Sequence, residues 1–280
     1  MTRRPRTAYL LMLPALAWLA VFFVVPTVTL VSQSLQEGSL EEGYVLTGNV
    51  GIYLDVLRDY APQFGRSLLY AGIATLAALI IAYPLAYMIA IKAGRWKNLL
   101  LVLVVAPFFT SFLVRTLAWK IILGDDNLVV STLRSLHILD ADGRLLATPF
   151  AVICGLTYCF LPFMTLPLYA SLEKLDGRLL EAASDLYASA FTAFRKVTFP
   201  LSLPGVVGGT LLTFIPAAGD YVNVEFLGTP QTSMIGNVIQ SRFLTVGDYP
   251  AAAALSVILM VTIIVMVMAY VRRAGTEELV

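Results

Sequence analysis

The stretch that decides the fold spans residues 175–205 and reads LDGRLLEAASDLYASAFTAFRKVTFPLSLPG. It carries acids and bases, yet it lies between two long apolar runs. Apolar side chains recur along it at helical spacing, at Leu175, Leu179, Ala183, Leu186 and Ala190. The opposite face is polar, with Asp176, Arg178, Glu181, Ser184 and Asp185. Pro200 and Pro204 end this segment, so the pattern predicts a pair of amphipathic helices held outside a bilayer.

The composition of the whole chain is that of an integral membrane protein. The 280 residues are 59% hydrophobic and 13% charged, with a mean hydropathy of +0.82, whereas soluble domains carry about 25% charged residues. Six runs are long enough to cross a hydrocarbon core of about 30 Å as helices. They lie near residues 8–31, 67–91, 98–123, 146–171, 201–221 and 250–271. We therefore predict an all-α polytopic protein with one transmembrane domain over residues 1–280 and a loop at 172–200.

The first apolar run follows the basic start MTRRPRT, which resembles the beginning of a signal peptide. The run is too long for the apolar region of a signal peptide and has no small-residue cleavage site. We therefore expect it to remain as a membrane span.

The distribution of basic residues predicts the orientation of the spans. With the N-terminus inside, the cytoplasmic segments hold 12 of the 19 Lys and Arg residues, the external segments hold five, and Arg115 and Lys120 lie within the third span. The positive-inside rule then places both termini and the loop at 172–200 in the cytoplasm.

The loop also carries a family motif. Glu181-Ala182-Ala183 and, further on, Val197-Thr198-Phe199-Pro200 resemble the EAA signature of binding-protein-dependent ABC importer permeases. That signature is EAA, three residues, Gly, nine residues, Ile, any residue and Leu-Pro. The spacing matches, but Tyr187 stands at the Gly position. Tyr lacks the freedom of glycine at positive φ, so this substitution affects the turn after the first helix.

The resemblance implies a type I ABC importer permease fold, in which this loop is a coupling helix that docks on a cytoplasmic ATPase subunit. The residues expected to couple to the ATPase are Glu181, Ala182, Ala183, Asp185, Leu186, Tyr187 and Pro200. The alternative is an ordinary amphipathic helix that lies on the lipid headgroups.

No motif for catalysis or nucleotide binding occurs in the chain. It contains no GxxxxGK[ST] loop, no Gly-x-Ser-x-Gly elbow and no His-Glu-x-x-His helix. Cys154 and Cys159 lie in one apolar run and His137 is the only histidine, so we expect neither a disulfide nor a metal site. The chain is therefore predicted to be a transporter subunit without catalytic residues or a cofactor, and ATP and magnesium are expected on a partner ATPase.

A second informative stretch follows the fifth apolar run. Asp220 and Glu225 lie there beside aromatic residues, and an acid near the membrane is costly unless it faces water, protein or a cation. Carboxylates and aromatic faces together suit the ammonium groups of a polyamine. The residues expected along the substrate pathway are Asp220, Tyr221, Glu225, Phe214 and Trp119. The alternative is that the two acids only mark the membrane interface.

This stretch resembles the spermidine/putrescine permease subunits through Gly219-Asp220-Tyr221, Met234-Ile235-Gly236-Asn237, Phe243 and Tyr249-Pro250. The resemblance implies a bacterial inner-membrane protein that forms a heterodimer with a second permease subunit. Two ATPase subunits and an extracytoplasmic substrate-binding protein complete the expected assembly, and no nucleic acid is expected. An ABC importer permease for another small solute, such as an opine, iron or another anion, is an alternative. An ion-coupled secondary transporter is a further one, although no inverted repeat is evident.

The external segment at 32–65 is predicted to form an extended piece and a short helix near 52–60, either as a solvated loop or as a docking surface for the binding protein.

Arg115, in the middle of a span, is expected to be structural or part of a gate, because a central cation costs about 2.5–3.5 kcal/mol and would repel a polyamine. Lys120 is close enough to the span's end to reach the interface.

Overall fold

The computed structural model describes residues 5–140 and 142–274, and these residues are mostly helical. They divide into two compact units, residues 5–61 with 238–262 and residues 62–237 with 263–274. The predicted all-α polytopic chain is confirmed, with one short hairpin as the exception.

The helices are defined in chain order. They are α1 (Pro5–Leu19), α2 (Val25–Ser34), α3 (Ile52–Tyr87), α4 (Lys97–Val105), α5 (Phe112–Ile122), α6 (Leu128–Ser135), α7 (Pro149–Glu173), α8 (Gly177–Asp185), α9 (Ala190–Ala193), α10 (Phe199–Leu201), α11 (Leu203–Ala218), α12 (Val222–Leu227), α13 (Ile235–Ser241) and α14 (Tyr249–Ala274). Turns of π-helix occur at Ala20–Val24, Met88–Lys92, Phe194–Thr198 and Arg242–Val246, and 3₁₀ turns occur at Gly94–Trp96, Ala106–Phe109 and Pro230–Thr232.

The membrane spans follow the apolar runs. Four helical segments are long and apolar enough to cross a bilayer, at Leu11–Ser34, Ile52–Lys92, Pro149–Glu173 and Tyr249–Arg273. Two bent helix pairs raise the number to six if each pair is one span, namely Gly94–Phe109 with Phe112–Ile122 and Ala190–Leu201 with Leu203–Ala218. The count of six therefore agrees with the sequence prediction.

Two details of the spans differ from the prediction. The helix expected near 52–60 and the span expected at 67–91 form one continuous helix, because Pro62 removes one backbone donor without ending α3. The span expected at 98–123 is broken by a 95° bend. Pro107 leads into this bend, and Thr110 and Ser111 are extended, with ψ of 149° and 139°.

The first unit contains the hairpin. Strands β1 (Gln36–Ser39) and β2 (Gly43–Leu46) pair antiparallel, as expected for an extended piece in this segment. The Tyr44 hydroxyl donates a hydrogen bond to the Gly247 carbonyl, and the Tyr44 ring lies 5.3 Å from that of Tyr249. The hairpin is thereby attached to the start of α14.

The second unit is built on the packing of α7 against α11. A Cβ atom at Gly209 would lie 2.8 Å from Met164 Sδ and 3.0 Å from the Met164 carbonyl oxygen, and one at Gly205 would lie 2.7 Å from the Pro167 carbonyl oxygen. Such distances require glycine. The Gly-x-x-x-Gly spacing therefore lets the two backbones approach closely, as in other membrane helix pairs.

Candidate functional site

The predicted coupling segment begins with a capped helix. The Asp176 carboxylate accepts a hydrogen bond of 3.0 Å from the backbone N–H of Arg178, at the N-terminus of α8. Asp is among the best residues at this position because its oxygen satisfies a donor that the helix leaves free. The local sequence therefore fixes where the amphipathic helix starts.

The same helix ends in a left-handed turn at Tyr187. The backbone N–H of Tyr187 donates to the Ser184 carbonyl at 2.9 Å, and that of Ala188 donates to the Ala183 carbonyl at 3.0 Å. These two bonds form a Schellman motif, in which the residue at the turn has positive φ. Tyr187 has φ of 56°. The turn that the family's glycine would make is therefore present, and a tyrosine adopts it.

The expected coupling residues lie on an exposed segment. Glu181, Ala182 and Asp185 are exposed on α8, Ala183 is half-buried, and Pro200 is exposed in α10. The side chains at the end of α8 and the start of α9 are unusually open for apolar residues: Leu186 is 82%, Tyr187 99% and Phe191 70% exposed. Of the apolar stripe predicted along this segment, Leu179 and Leu186 are therefore not covered by the described residues, whereas Leu175 packs against the core.

A buried contact attaches the far end of the segment to α3. The hydroxyls of Tyr83 and Ser202 lie 2.7 Å apart and are both buried. The Tyr83 ring packs edge-on against Phe194, with ring centroids 5.6 Å apart, and its centroid lies 6.1 Å from that of the tilted Phe199 ring. A displacement of the coupling segment would therefore act directly on α3 and on the start of α11.

The expected substrate-pathway residues do not form one group. Asp220 is only 8% exposed, and its Oδ1 accepts a hydrogen bond of 2.8 Å from the Asn223 backbone N–H, which caps the first turn of α12. Trp119 and Phe214 are half-buried and pack against the hydrophobic core. Tyr221 and Glu225 are exposed. Of the two acids, Asp220 is therefore buried and Glu225 is exposed.

A buried polar cluster surrounds the start of α12. The Asn223 side-chain oxygen accepts a hydrogen bond of 3.2 Å from the Thr116 hydroxyl, and the Cys159 thiol lies 3.8 Å from the same oxygen. The Asn223 amide nitrogen and the Arg115 Nε and Nη1 atoms are buried without a hydrogen-bond partner among residues 5–140 and 142–274. These unpaired donors give the cluster a positive character.

Arg115 is held by aromatic rings. Its guanidinium carbon lies 5.5 Å from the ring centroids of both Phe108 and Phe112, a distance typical of cation–π attraction. The side chain forms no ion pair with any residue that the structure describes. This environment agrees with a structural or gating role and does not resemble a site for a cation.

Several residues of these sites were missed by the sequence interpretation. The Tyr83–Ser202 bond and the Thr116–Asn223 bond join residues 119 and 107 positions apart, and no local pattern predicts such pairs. The Gly205-x-x-x-Gly209 spacing, by contrast, is a known signal for close helix packing and was available in the sequence. Within the described residues, no group of His, Cys, Asp or Glu could hold a metal ion.

Comparison with known proteins agrees with this architecture. Residues 5–274 match the family model described as the binding-protein-dependent transport system inner membrane component. The spermidine/putrescine transport system permease protein PotB of Haemophilus influenzae is 38% identical over 91% of this chain and 90% of its own length. PotB of Escherichia coli is also 38% identical, over 91% of this chain and 93% of its own length.

Solved structures share the fold at lower identity. A bacterial ABC transporter that imports the acidic polysaccharide alginate is 16% identical, with a TM-score of 0.76 over 97% of this chain and 96% of that one. The MetNI methionine ABC transporter in an inward-facing conformation is also 16% identical, with a TM-score of 0.59 over 76% of this chain and 94% of that one. At these identities the likeness concerns the fold alone.

Proposed function

The chain belongs to the family of binding-protein-dependent transport system inner membrane components, and we propose that it carries spermidine or putrescine into the cytoplasm. It is a multi-pass permease subunit of an ABC importer and not an enzyme. The substrate is inferred from the similarity to the two PotB proteins, which extends over almost the whole length of both chains.

The proposed mechanism rests on an exposed apolar surface that follows α8 and includes the start of α9. Leu186, Tyr187 and Phe191 expose large apolar side chains within a segment that otherwise carries charges. Large exposed apolar side chains grouped together are typical of a protein interface. We assign this surface to a partner ATPase, whose hydrolysis of ATP with magnesium would move the segment.

The remaining parts of the assembly follow from the same proposal. A second permease subunit, two ATPase subunits and an extracytoplasmic binding protein complete the importer, and lipid surrounds the spans. The excess of basic residues in one set of loops supports an orientation with both termini in the cytoplasm. In this orientation α8 faces the ATPase, and α12 with its following segment faces outward.

The contact between Tyr83 and Ser202 suggests how the movement reaches the spans. Ser202 lies between α10 and α11 and Tyr83 lies in α3. In the proposed cycle, ATP-driven displacement of the coupling segment shifts the start of α11 against α3, and the pathway alternates between its two sides.

An importer of a small anionic solute is the second candidate, and Arg115 is the observation that favours it. Two of its nitrogen atoms are buried without a partner among the described residues, and such donors suit a carboxylate or another anion.

Substrate-dependent ATP hydrolysis distinguishes the two candidates. The chain would be reconstituted in lipid vesicles with its second permease, ATPase and binding protein, and polyamines, amino acids and small anions compared. We expect ATP hydrolysis and uptake to respond to spermidine or putrescine only. A response to an anion and none to polyamines would refute the proposal and favour the second candidate.

A further inference from the structure

A small cavity lies between α12 and the segment that follows it. Its volume is about 180 Å³, and its polar lining comes from Glu225, Thr229, Ser233 and Asn237. Because one water molecule needs roughly 10–15 Å³ of such volume, the cavity can hold the end of an aminoalkyl chain. It is large enough for a ligand group and too small for a whole folded segment.

The walls of this cavity are fixed by hydrogen bonds. The Asn237 amide donates to the Tyr221 carbonyl at 3.0 Å, and its oxygen accepts from the Met234 N–H at 3.3 Å. The backbone N–H of Thr229 donates to the Thr232 hydroxyl at 2.7 Å. A site whose walls are already ordered loses less entropy when a ligand binds.

The groups that remain free in the cavity are acceptors. Neither the Glu225 carboxylate nor the Ser233 hydroxyl has a hydrogen-bond or ion-pair partner among residues 5–140 and 142–274. Pro230, which is exposed, adds apolar surface beside them. The neighbouring base, Lys120, instead lies 5.8 Å from the Phe226 ring centroid. A carboxylate, a hydroxyl and an apolar wall together are complementary to an alkylammonium group.

Glu225 differs in this respect from Asp220. Asp220 is only 8% exposed and is engaged by the Asn223 N–H, whereas the Glu225 carboxylate is exposed and borders the cavity. Of these two acids, Glu225 is therefore the one that a cation from solution can reach without a rearrangement of α12.

We propose that this cavity is an outer ammonium subsite of the transport pathway. The Glu225 carboxylate and the Ser233 hydroxyl bind a terminal primary ammonium of a polyamine, and Pro230 contacts its methylene groups. This inference rests on the proposed function and on the orientation that places α12 towards the outside.

A thiol on the cavity wall tests the subsite directly. Ser233→Cys would be labelled with a cationic methanethiosulfonate reagent in the assembled transporter in nanodiscs, and labelling of that position would be followed by mass spectrometry. We expect spermidine to slow the labelling at least fivefold and Glu225→Gln in the same chain to abolish the protection. Ser131→Cys, an exposed position on α6, is the matched control, and spermidine should leave its labelling rate unchanged.

Three other conditions separate the sources of such protection. Sodium or magnesium chloride at equal ionic strength should not protect, and neither should the binding protein without polyamine. Protection by salt, or by the empty binding protein alone, would overturn the subsite, because a general charge effect or occlusion by the binding protein would then explain it. Persistence of the protection in the Glu225→Gln chain would overturn it as well.

The same preparation also tests the proposed function. If the unsubstituted transporter takes up spermidine but neither Ser233→Cys nor Thr229→Cys shows protection, the subsite is wrong and the function stands. If the unsubstituted transporter does not take up polyamine, the function fails and the subsite fails with it. Thr229→Cys supplies a second thiol on the same wall and leaves the Ser233 hydroxyl in place.

Discussion

Replacement of Tyr187 by glycine should stabilise the end of α8. Tyr187 has φ of 56° and a side chain that is 99% exposed, so the residue bears backbone strain without any compensating burial in the described chain. The left-handed conformation costs an L-residue about 1–2 kcal/mol. Glycine loses about 0.5–1 kcal/mol more conformational freedom on folding. The net gain for Tyr187→Gly should be about 0.5–1 kcal/mol.

Amide hydrogen exchange is the assay suited to a local effect of this size. A gain of 0.5–1 kcal/mol corresponds to about a two- to fivefold shift in an equilibrium constant, and exchange from a locally opened turn reports that equilibrium. In the permease reconstituted without its ATPase, peptides that cover α8 should exchange about two- to fivefold more slowly in the Tyr187→Gly chain.

Two control variants separate strain from side-chain effects. Tyr187→Ala removes the ring but keeps a Cβ atom, so it should leave the exchange rate near that of the original chain. His137→Gly should slow exchange at the end of α6, because His137 has φ of 57° in a turn with the same pair of hydrogen bonds. Equal or faster exchange in Tyr187→Gly would refute the strain argument, as would an equal slowing in Tyr187→Ala.

Four further substitutions, one of them a control, test the packing and the coupling. Gly209→Ala should destabilise the α7–α11 pair by about 1–3 kcal/mol through overpacking. Gly208→Ala meets only an ordinary 3.7 Å contact and should be neutral or stabilising by up to about 1 kcal/mol. Thermal unfolding followed by gel filtration compares the two variants. Tyr83→Phe should lose about 0.5–1.5 kcal/mol with its hydrogen bond and lower the uptake per ATP hydrolysed, and unchanged coupling would exclude the contact as a link. Glu181→Lys should leave the protein folded but separate ATP hydrolysis from uptake, and normal transport would remove its coupling role.

The spans and the coupling helix were predictable because local patterns determine them. The apolar runs predict the membrane spans, and the amphipathic stripe that begins at Asp176 predicts α8. The break in the third span was not predicted, because the extended backbone at Thr110 and Ser111 leaves no distinctive hydropathy signal. Pro107 precedes the break, but many membrane helices tolerate proline without bending as far as this pair.

The substrate-pathway residues were harder to place for a physical reason. Asp220 and Glu225 are five positions apart and both acidic, and the sequence does not show which of them faces solvent. Asp220 caps α12 through the Asn223 N–H, and the Asn223 side chain accepts a hydrogen bond from Thr116 of a distant helix. The second contact forms only when the helices pack, so composition and spacing cannot rank the two acids.

Asparagine at position 220 can separate the two roles of that acid. Asn and Asp are similarly effective at capping a helix N-terminus, so Asp220→Asn should keep the bond to the Asn223 N–H and remove only the negative charge. If Asp220 is purely structural, uptake in Asp220→Asn should remain close to that of the unsubstituted chain, and Asp220→Ala, which loses the cap, should be about 0.5–2 kcal/mol less stable. If its charge contributes to the pathway, Asp220→Asn should lower polyamine uptake at unchanged thermal stability. Because the buried carboxylate is already engaged while Glu225 is free, the structure favours the first result, and a large loss of uptake in a fully stable Asp220→Asn chain would show that α12 rearranges during transport.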